Sequence, residues 1–148
     1  MIGLAGLYGQ AGDLAKAKEY YEKALKLSPN NPRIYYGLGY VHDLDGNNEE
    51  ALKMYNREIA MDPNNADGYY GLGNVYAKLK MNDRARENYF KSVEVNPGYV
   101  DGWVNLAVLS FLEKNYEEAV KYYEKALSLG YQPPAEFIKA LEQYRKGK

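Results

Sequence analysis

At 148 residues the chain can bury a useful core as one domain or one short repeat array. It is 46% hydrophobic and 26% charged, with a formal net charge of −1, and its charges are spread along its length. It therefore has neither the basic tract of a nucleic-acid binder nor an acidic tail. The absence of cysteine removes disulfides, thiolate catalysis and zinc–thiolate sites and leaves the compartment open, with the cytoplasm as default; no apolar run approaches the ~20 residues of a membrane span.

The chain begins with MIGLAGLYGQAG, an apolar run with no basic segment ahead of it, which argues against a signal peptide. Ile2 to Ala11 reads as a short, glycine-rich helix, followed by a second helix through Ala17 and Tyr21 and the break LSPNNP. Tyr35, Leu38 and His42 then fall at i, i+3, i+7, one stripe of a helix. DLDGNNEE is a turn, with Gly46 as helix stop and Asn47 or Asn48 as N-cap. Ala51, Tyr55 and Glu58 make the next stripe, and Pro63 ends that helix. The motif YYGLG of Tyr35 to Gly39 returns letter for letter at Tyr69 to Gly73. Further on, Pro133 and Pro134 break the pattern, and AEFIKALEQYRKGK reads as an amphipathic helix. It carries Phe137, Leu141 and Tyr144 on one side, with Glu136, Lys139, Glu142, Arg145 and Lys146 free to face water.

A step of 34 residues organises all of this. It carries Ala17 to Ala51, Ala85 and Ala119, and Tyr21 to Tyr55, Tyr89 and Tyr123. It also carries Leu4 to Leu38, Leu72 and Leu106, and Pro29 to Pro63 and Pro97. Each unit is a helix–turn–helix pair that cannot bury its apolar faces alone, so neighbouring pairs must stack. Tyr69, Leu72, Gly73, Tyr76, Ala85, Tyr89 and Pro97 together resemble the tetratricopeptide repeat, over essentially the whole chain. The departures are local. Ser92 replaces an alanine, His42 and Ser110 replace a tyrosine, Ala107 replaces a glycine, and Tyr131 stands where the last proline is expected.

The resemblance implies an all-α, right-handed α-solenoid of antiparallel helix pairs. The units are expected at 1–31 (shortened at its start), 32–65, 66–99 and 100–133, with a capping helix over 134–146. The shortened first unit reads as a piece of a longer array, in preference to an end covered by another copy or partner. Gly39 and Gly73 are expected to be small because helices approach closely there. Gly37 and Gly71 look dispensable, each costing up to ~1 kcal/mol of helix propensity relative to alanine. A dinucleotide loop would need a preceding strand and a third glycine, and neither is present.

Chemistry finds no foothold. His42, the single histidine, sits in a packing column with no nucleophile placed beside it. The pairs Glu49–Glu50 and Glu117–Glu118 open second helices, where acids offset the positive helix end. The glycine of DLDGNNEE comes two residues too early for an EF-hand. The expectation is no metal, no cofactor and no enzyme activity.

The stripe beside the packing column holds Arg33, Tyr36, Tyr40 and Asp43; then Asp67, Tyr70, Asn74 and Ala77, with Lys78 adjacent; then Asp101, Val104, Val108 and Phe111. In the shortened first unit it holds Ile2, Gly6 and Gly9. In the family it resembles, this stripe of each first helix lines a concave groove that receives peptides. Tyrosines and a Val–Val–Phe run suit such an interface, although the C-terminal helix could cover the latter. Acids outnumber bases on the stripe, pointing to a mostly apolar segment with some basic residues. The clamp by which some relatives hold chaperone C-terminal tails is not matched, since only Asn105 is of the right type. The expected role is a non-enzymatic interaction scaffold. The alternatives are self-association through the N-terminal end, and the accessory region of a larger enzyme.

Overall fold

The structure is a computed structural model that describes residues 1–134, 138–139 and 143–144. Among the described residues are eight helices and no strand. They are α1 (Ile2–Gln10), α2 (Leu14–Leu27), α3 (Pro32–Leu44), α4 (Asn48–Met61), α5 (Ala66–Lys78), α6 (Asn82–Val95), α7 (Val100–Leu112) and α8 (Tyr116–Ser128). None of them is long and apolar enough to cross a membrane.

Local chemistry sets the helix ends. Asn31 and Asn65 accept from the backbone N–H of Arg33 and Asp67, capping α3 and α5. Asn47 is the N-cap of α4, but its side-chain amide instead donates to Asp45 at 2.8 Å. The turn inside every pair needs one left-handed residue, supplied by Gly12 and Gly46 and then by Lys80 (φ 61°) and Lys114 (φ 64°). The lysines cost on the order of 1 kcal/mol each there, and glycine would not.

Helices pack as consecutive pairs, and each second helix packs on the next first helix. Leu38 and Val41 of α3 join the cluster built on Ala17, Tyr21 and Ala24 of α2. Leu72 and Val75 of α5 join Ala51 and Tyr55 of α4, and Leu106 and Leu109 of α7 join Tyr89 and Val93 of α6. The result is an α-solenoid whose core is a series of repeated joints.

The glycines overturn one expectation. Gly39 and Gly73 do face tyrosines of their own pair, Tyr55 and Tyr89, with a would-be Cβ at 2.8 and 2.5 Å. Gly37 and Gly71 are just as constrained, because the tyrosine of the preceding pair lies on them. A Cβ at Gly37 would stand 2.2 Å from Tyr21, and one at Gly71 2.5 Å from Tyr55. Tyr55 is thus sandwiched between Gly39 and Gly71, and neither glycine is dispensable.

A second pair of columns compensates in volume. Ala24 with Ile34, Glu58 with Gly68, and Ser92 with Gly102 occupy equivalent joints. A Cβ at Gly68 would fall 1.9 Å from the Glu58 carboxylate, and one at Gly102 2.7 Å from Ser92 Oγ. Glu58 is fully buried. Its Oε1 accepts from Asn65 Nδ2 at 2.8 Å, while Oε2 has no partner. Burial pushes its pKa up to about 7; the Asn65 hydrogen bond opposes this, and the charges of Asp62 and Asp67 add to it.

His42 is buried at a packing position, and burial lowers its pKa, with the charge of Lys18 adding to the effect. Of the expected C-terminal helix, Glu136, Phe137, Leu141, Glu142, Arg145 and Lys146 lie outside the described residues. Lys139 is exposed, and the Tyr144 ring stands 4.9 Å from that of Tyr116.

Candidate binding groove

The first helices lie side by side, α1 against α3 and α3 against α5, which brings the predicted stripe together along one face. Its two halves differ. In the N-terminal half, α1 carries Gly3, Gly6 and Gly9 at a three-residue spacing. Without side chains there, space remains above α2 and α3. One cavity of about 310 Å³ is lined by Gly6, Gly9, Gln10, Tyr21, Tyr36, Tyr40 and Val41. A second, of about 430 Å³, is lined by Ile2, Gly3, Tyr21, Asn31, Arg33, Tyr36, Asn65 and Asp67. Tyr21 and Tyr36 line both, so they separate an aromatic compartment from one holding a guanidinium and a carboxylate. Tyr40 is 38% exposed at the mouth of the first. The Tyr36 ring leans on Tyr55 at 5.9 Å, and burial raises its pKa, so it presents a neutral hydroxyl.

The middle of the groove is filled by its own side chains. Tyr70 lies 5.8 Å from Tyr89 and 5.2 Å from Tyr99, ring to ring. Tyr99 donates to Asp67 at 2.7 Å, and Tyr89 donates to Asn74 Oδ1 at 2.8 Å. Asn105 donates to the same Asn74 oxygen at 3.2 Å and to the Tyr70 hydroxyl at 3.4 Å. Asp43, expected on the groove surface, is instead buried and accepts from Lys78 at 2.7 Å. Further along, Asp101 and Val108 are exposed, Val104 is half-buried, and Phe111 packs its edge on Tyr116 at 5.3 Å.

Tyr21, Tyr99 and Asn105, the last of which donates to the expected Asn74, were missed as groove residues. One signal for Tyr99 was present: it breaks the N-cap column that Asn31 and Asn65 keep. A larger cavity of about 670 Å³ lies among α6, Tyr69 and Tyr122 and shares no residue with the groove. Its walls carry Tyr69, Phe90 and Tyr122 beside charged residues of α6, among which Lys91 pairs with Glu94 at 2.9 Å, while Arg86 reaches out of the lining to Glu113 and Glu118.

Models described as tetratricopeptide repeat match residues 2–66, 66–99 and 100–129. No curated protein matches the sequence. Among solved structures, a crystal structure of MamA superposes with a TM-score of 0.77 at 30% identity, covering 86% of this chain and 75% of that one. A MamA fragment from Desulfovibrio magneticus RS-1 superposes at 0.75 with 23% identity, covering 86% and 72%, a likeness of fold alone. A Thermobaculum terrenum O-GlcNAc transferase variant superposes at 0.70 with 26% identity, covering 74% of this chain but 21% of that one.

Proposed function

The chain belongs to the tetratricopeptide repeat family, whose repeats serve as protein–protein interaction scaffolds, and on that premise we propose that it holds a peptide segment in the N-terminal half of its groove. The observation that carries this reading is the pair of cavities either side of Tyr36. Each has the volume of one or two side chains, and together they call for different chemistry. The compartment of Tyr21, Tyr36, Tyr40 and Val41 suits an apolar residue of the ligand. The compartment with Asp67 and Arg33 suits a polar neighbour, and a basic one pairs with Asp67. The ligand is therefore mostly apolar with a basic residue close by. The middle of the groove, with its donors and acceptors already paired, serves as a wall.

A displayed random-peptide library selected on the purified protein tests this. Enriched sequences should share an apolar residue followed or preceded closely by Lys or Arg. Tyr40→Ala and the cavity-filling Gly6→Leu should each weaken binding about tenfold or more, a loss of ~1.4 kcal/mol, with helicity unchanged. Selected peptides that bind both variants as tightly as the parent would sink the groove reading.

The likeness to part of an O-GlcNAc transferase variant supports a second reading, in which this array is the accessory region of a larger enzyme and presents segments to it. The groove chemistry is the same in both.

A further inference from the structure

The pair α3–α4 shows what the cavity on α6 is missing. Arg57 of α4 lays its guanidinium over the Tyr35 ring of α3, 5.8 Å from the centroid. In the pair α5–α6 the same two columns hold Lys91 and Tyr69. There Lys91 pairs with Glu94 at 2.9 Å, an acid standing in the place that Ala60 takes on α4. Among the described residues no cation lies over the Tyr69 ring. Tyr69 instead lines the cavity of about 670 Å³, together with Phe90 and Tyr122.

Three further features set this wall apart from its counterparts. Phe90 is 45% exposed, whereas the equivalent places hold Glu22, Asn56 and Glu124. The other pairs do without an aromatic ring there, so the joint does not require one. Asn88 takes the place of Tyr20, Met54 and Tyr122, and its amide folds back on the Arg84 carbonyl at 2.9 Å. A large side chain is therefore missing from the lining. Asp83 and Glu87 stand one turn apart, and neither has an ion-pair or hydrogen-bond partner among the described residues. The cations beside them are engaged elsewhere, Lys91 by Glu94 and Arg86 by Glu113 and Glu118. The cavity thus combines exposed aromatic surface with two carboxylates that lack a counter-charge.

We propose that this cavity is a second binding site, which takes a peptide segment presenting an arginine beside an apolar side chain. The guanidinium lies over Tyr69 as that of Arg57 lies over Tyr35, Asp83 and Glu87 balance its charge, and the apolar neighbour covers Phe90. Arginine is preferred to lysine because its planar, weakly hydrated head stacks on a ring at lower desolvation cost. The site shares no residue with the groove cavities and binds whatever the groove holds.

The test is selection from a displayed random-peptide library on the protein with its groove altered by Gly6→Leu and Tyr40→Ala, discarding sequences that also bind after Phe90→Asn. Phe90→Asn and Glu87→Lys copy Asn56 and Lys53 of the preceding pair, so the fold tolerates both, and thermal unfolding verifies it. Enriched sequences should carry an arginine next to an apolar residue. A synthetic peptide of that sequence should bind the parent as tightly as the groove variant. Its affinity should fall about tenfold or more with Phe90→Asn or Glu87→Lys, and severalfold when its arginine becomes lysine. Lys91→Arg with Glu94→Ala rebuilds the Arg57–Tyr35 arrangement over Tyr69 and should close the site. The proposal is overturned if no sequence enriches, or if the enriched peptides lack a basic residue. It is equally overturned if they bind the Glu87→Lys protein or the rebuilt protein as tightly as the parent.

Discussion

Where α2 meets α3, Ala24 and Ile34 are both buried, the contact is apolar, and Tyr21 borders two open cavities. Where α4 meets α5, the equivalent places hold Glu58 and Gly68, and the carboxyl is buried with one oxygen unpartnered. At the first joint the equivalents of Asp43 and Lys78 are Gly9 and Leu44; at the second they form an ion pair. The two joints share a backbone design and differ in chemistry. One leaves room beside its tyrosine and pairs alanine with isoleucine where the other buries a carboxyl. The other leaves none and carries a charge it must neutralise. A repeat array can thus vary its joints independently as long as each volume change on one helix is offset on the next.

The sharpest test of that contrast is alanine at the two equivalent glycines. Gly71→Ala drives a methyl into a ring already held on its far side by Gly39. Overpacking should outweigh the gain of ~1 kcal/mol in helix propensity and leave a net loss of about 2 kcal/mol by urea unfolding. Gly37→Ala places its methyl closer still to Tyr21, but that ring can swing toward the cavities, so its loss should be less than half as large. Equal losses would show that the open space gives no relief.

Next in size is Glu58→Gln. Below pH 4.5, the carboxyl's ordinary value, it is neutral in the folded and the unfolded chain, and burial carries no charge penalty. As pH rises to about 7 the unfolded chain ionises first, so stability falls; above that value both states are charged and the loss is constant. The glutamine variant should lack this fall and be more stable than the parent by about 2 kcal/mol at pH 8, with little difference at pH 4. An unchanged pH profile would mean that the carboxylate finds solvent or a cation.

Smaller again is Lys78→Ala, which leaves the buried Asp43 carboxylate without its partner and should cost about 1 kcal/mol, since Lys78 itself is half exposed. Asp43→Asn in the same background should recover most of that. Leu44→Ala, at the equivalent place in the first joint and 45% exposed, should change stability by less than about 0.5 kcal/mol.

Much of the architecture was legible because helical periodicity and the 34-residue step act on the chain itself. The alanine and tyrosine columns identified the buried stripes, and the neighbouring stripe put Tyr36, Tyr40 and Tyr70 on first helices. What those residues do there depends on partners roughly thirty positions away. Tyr36 borders open space because α1 has glycines beneath it. Tyr70 is enclosed because Tyr99 and Asn105 break their columns and reach it.

The sequence by itself therefore determined the all-helical repeat, its pairing, and which face of each helix turns inward. Those depend on spacing along one helix, and spacing is written in the chain. Only the tertiary structure decided that tyrosines of the preceding pair lie on Gly37 and Gly71, that Glu58 is buried with Gly68 making room, and that the groove is open in one half and filled in the other. Each of these is a volume or hydrogen-bond match between two helices, and its sign depends on both members at once.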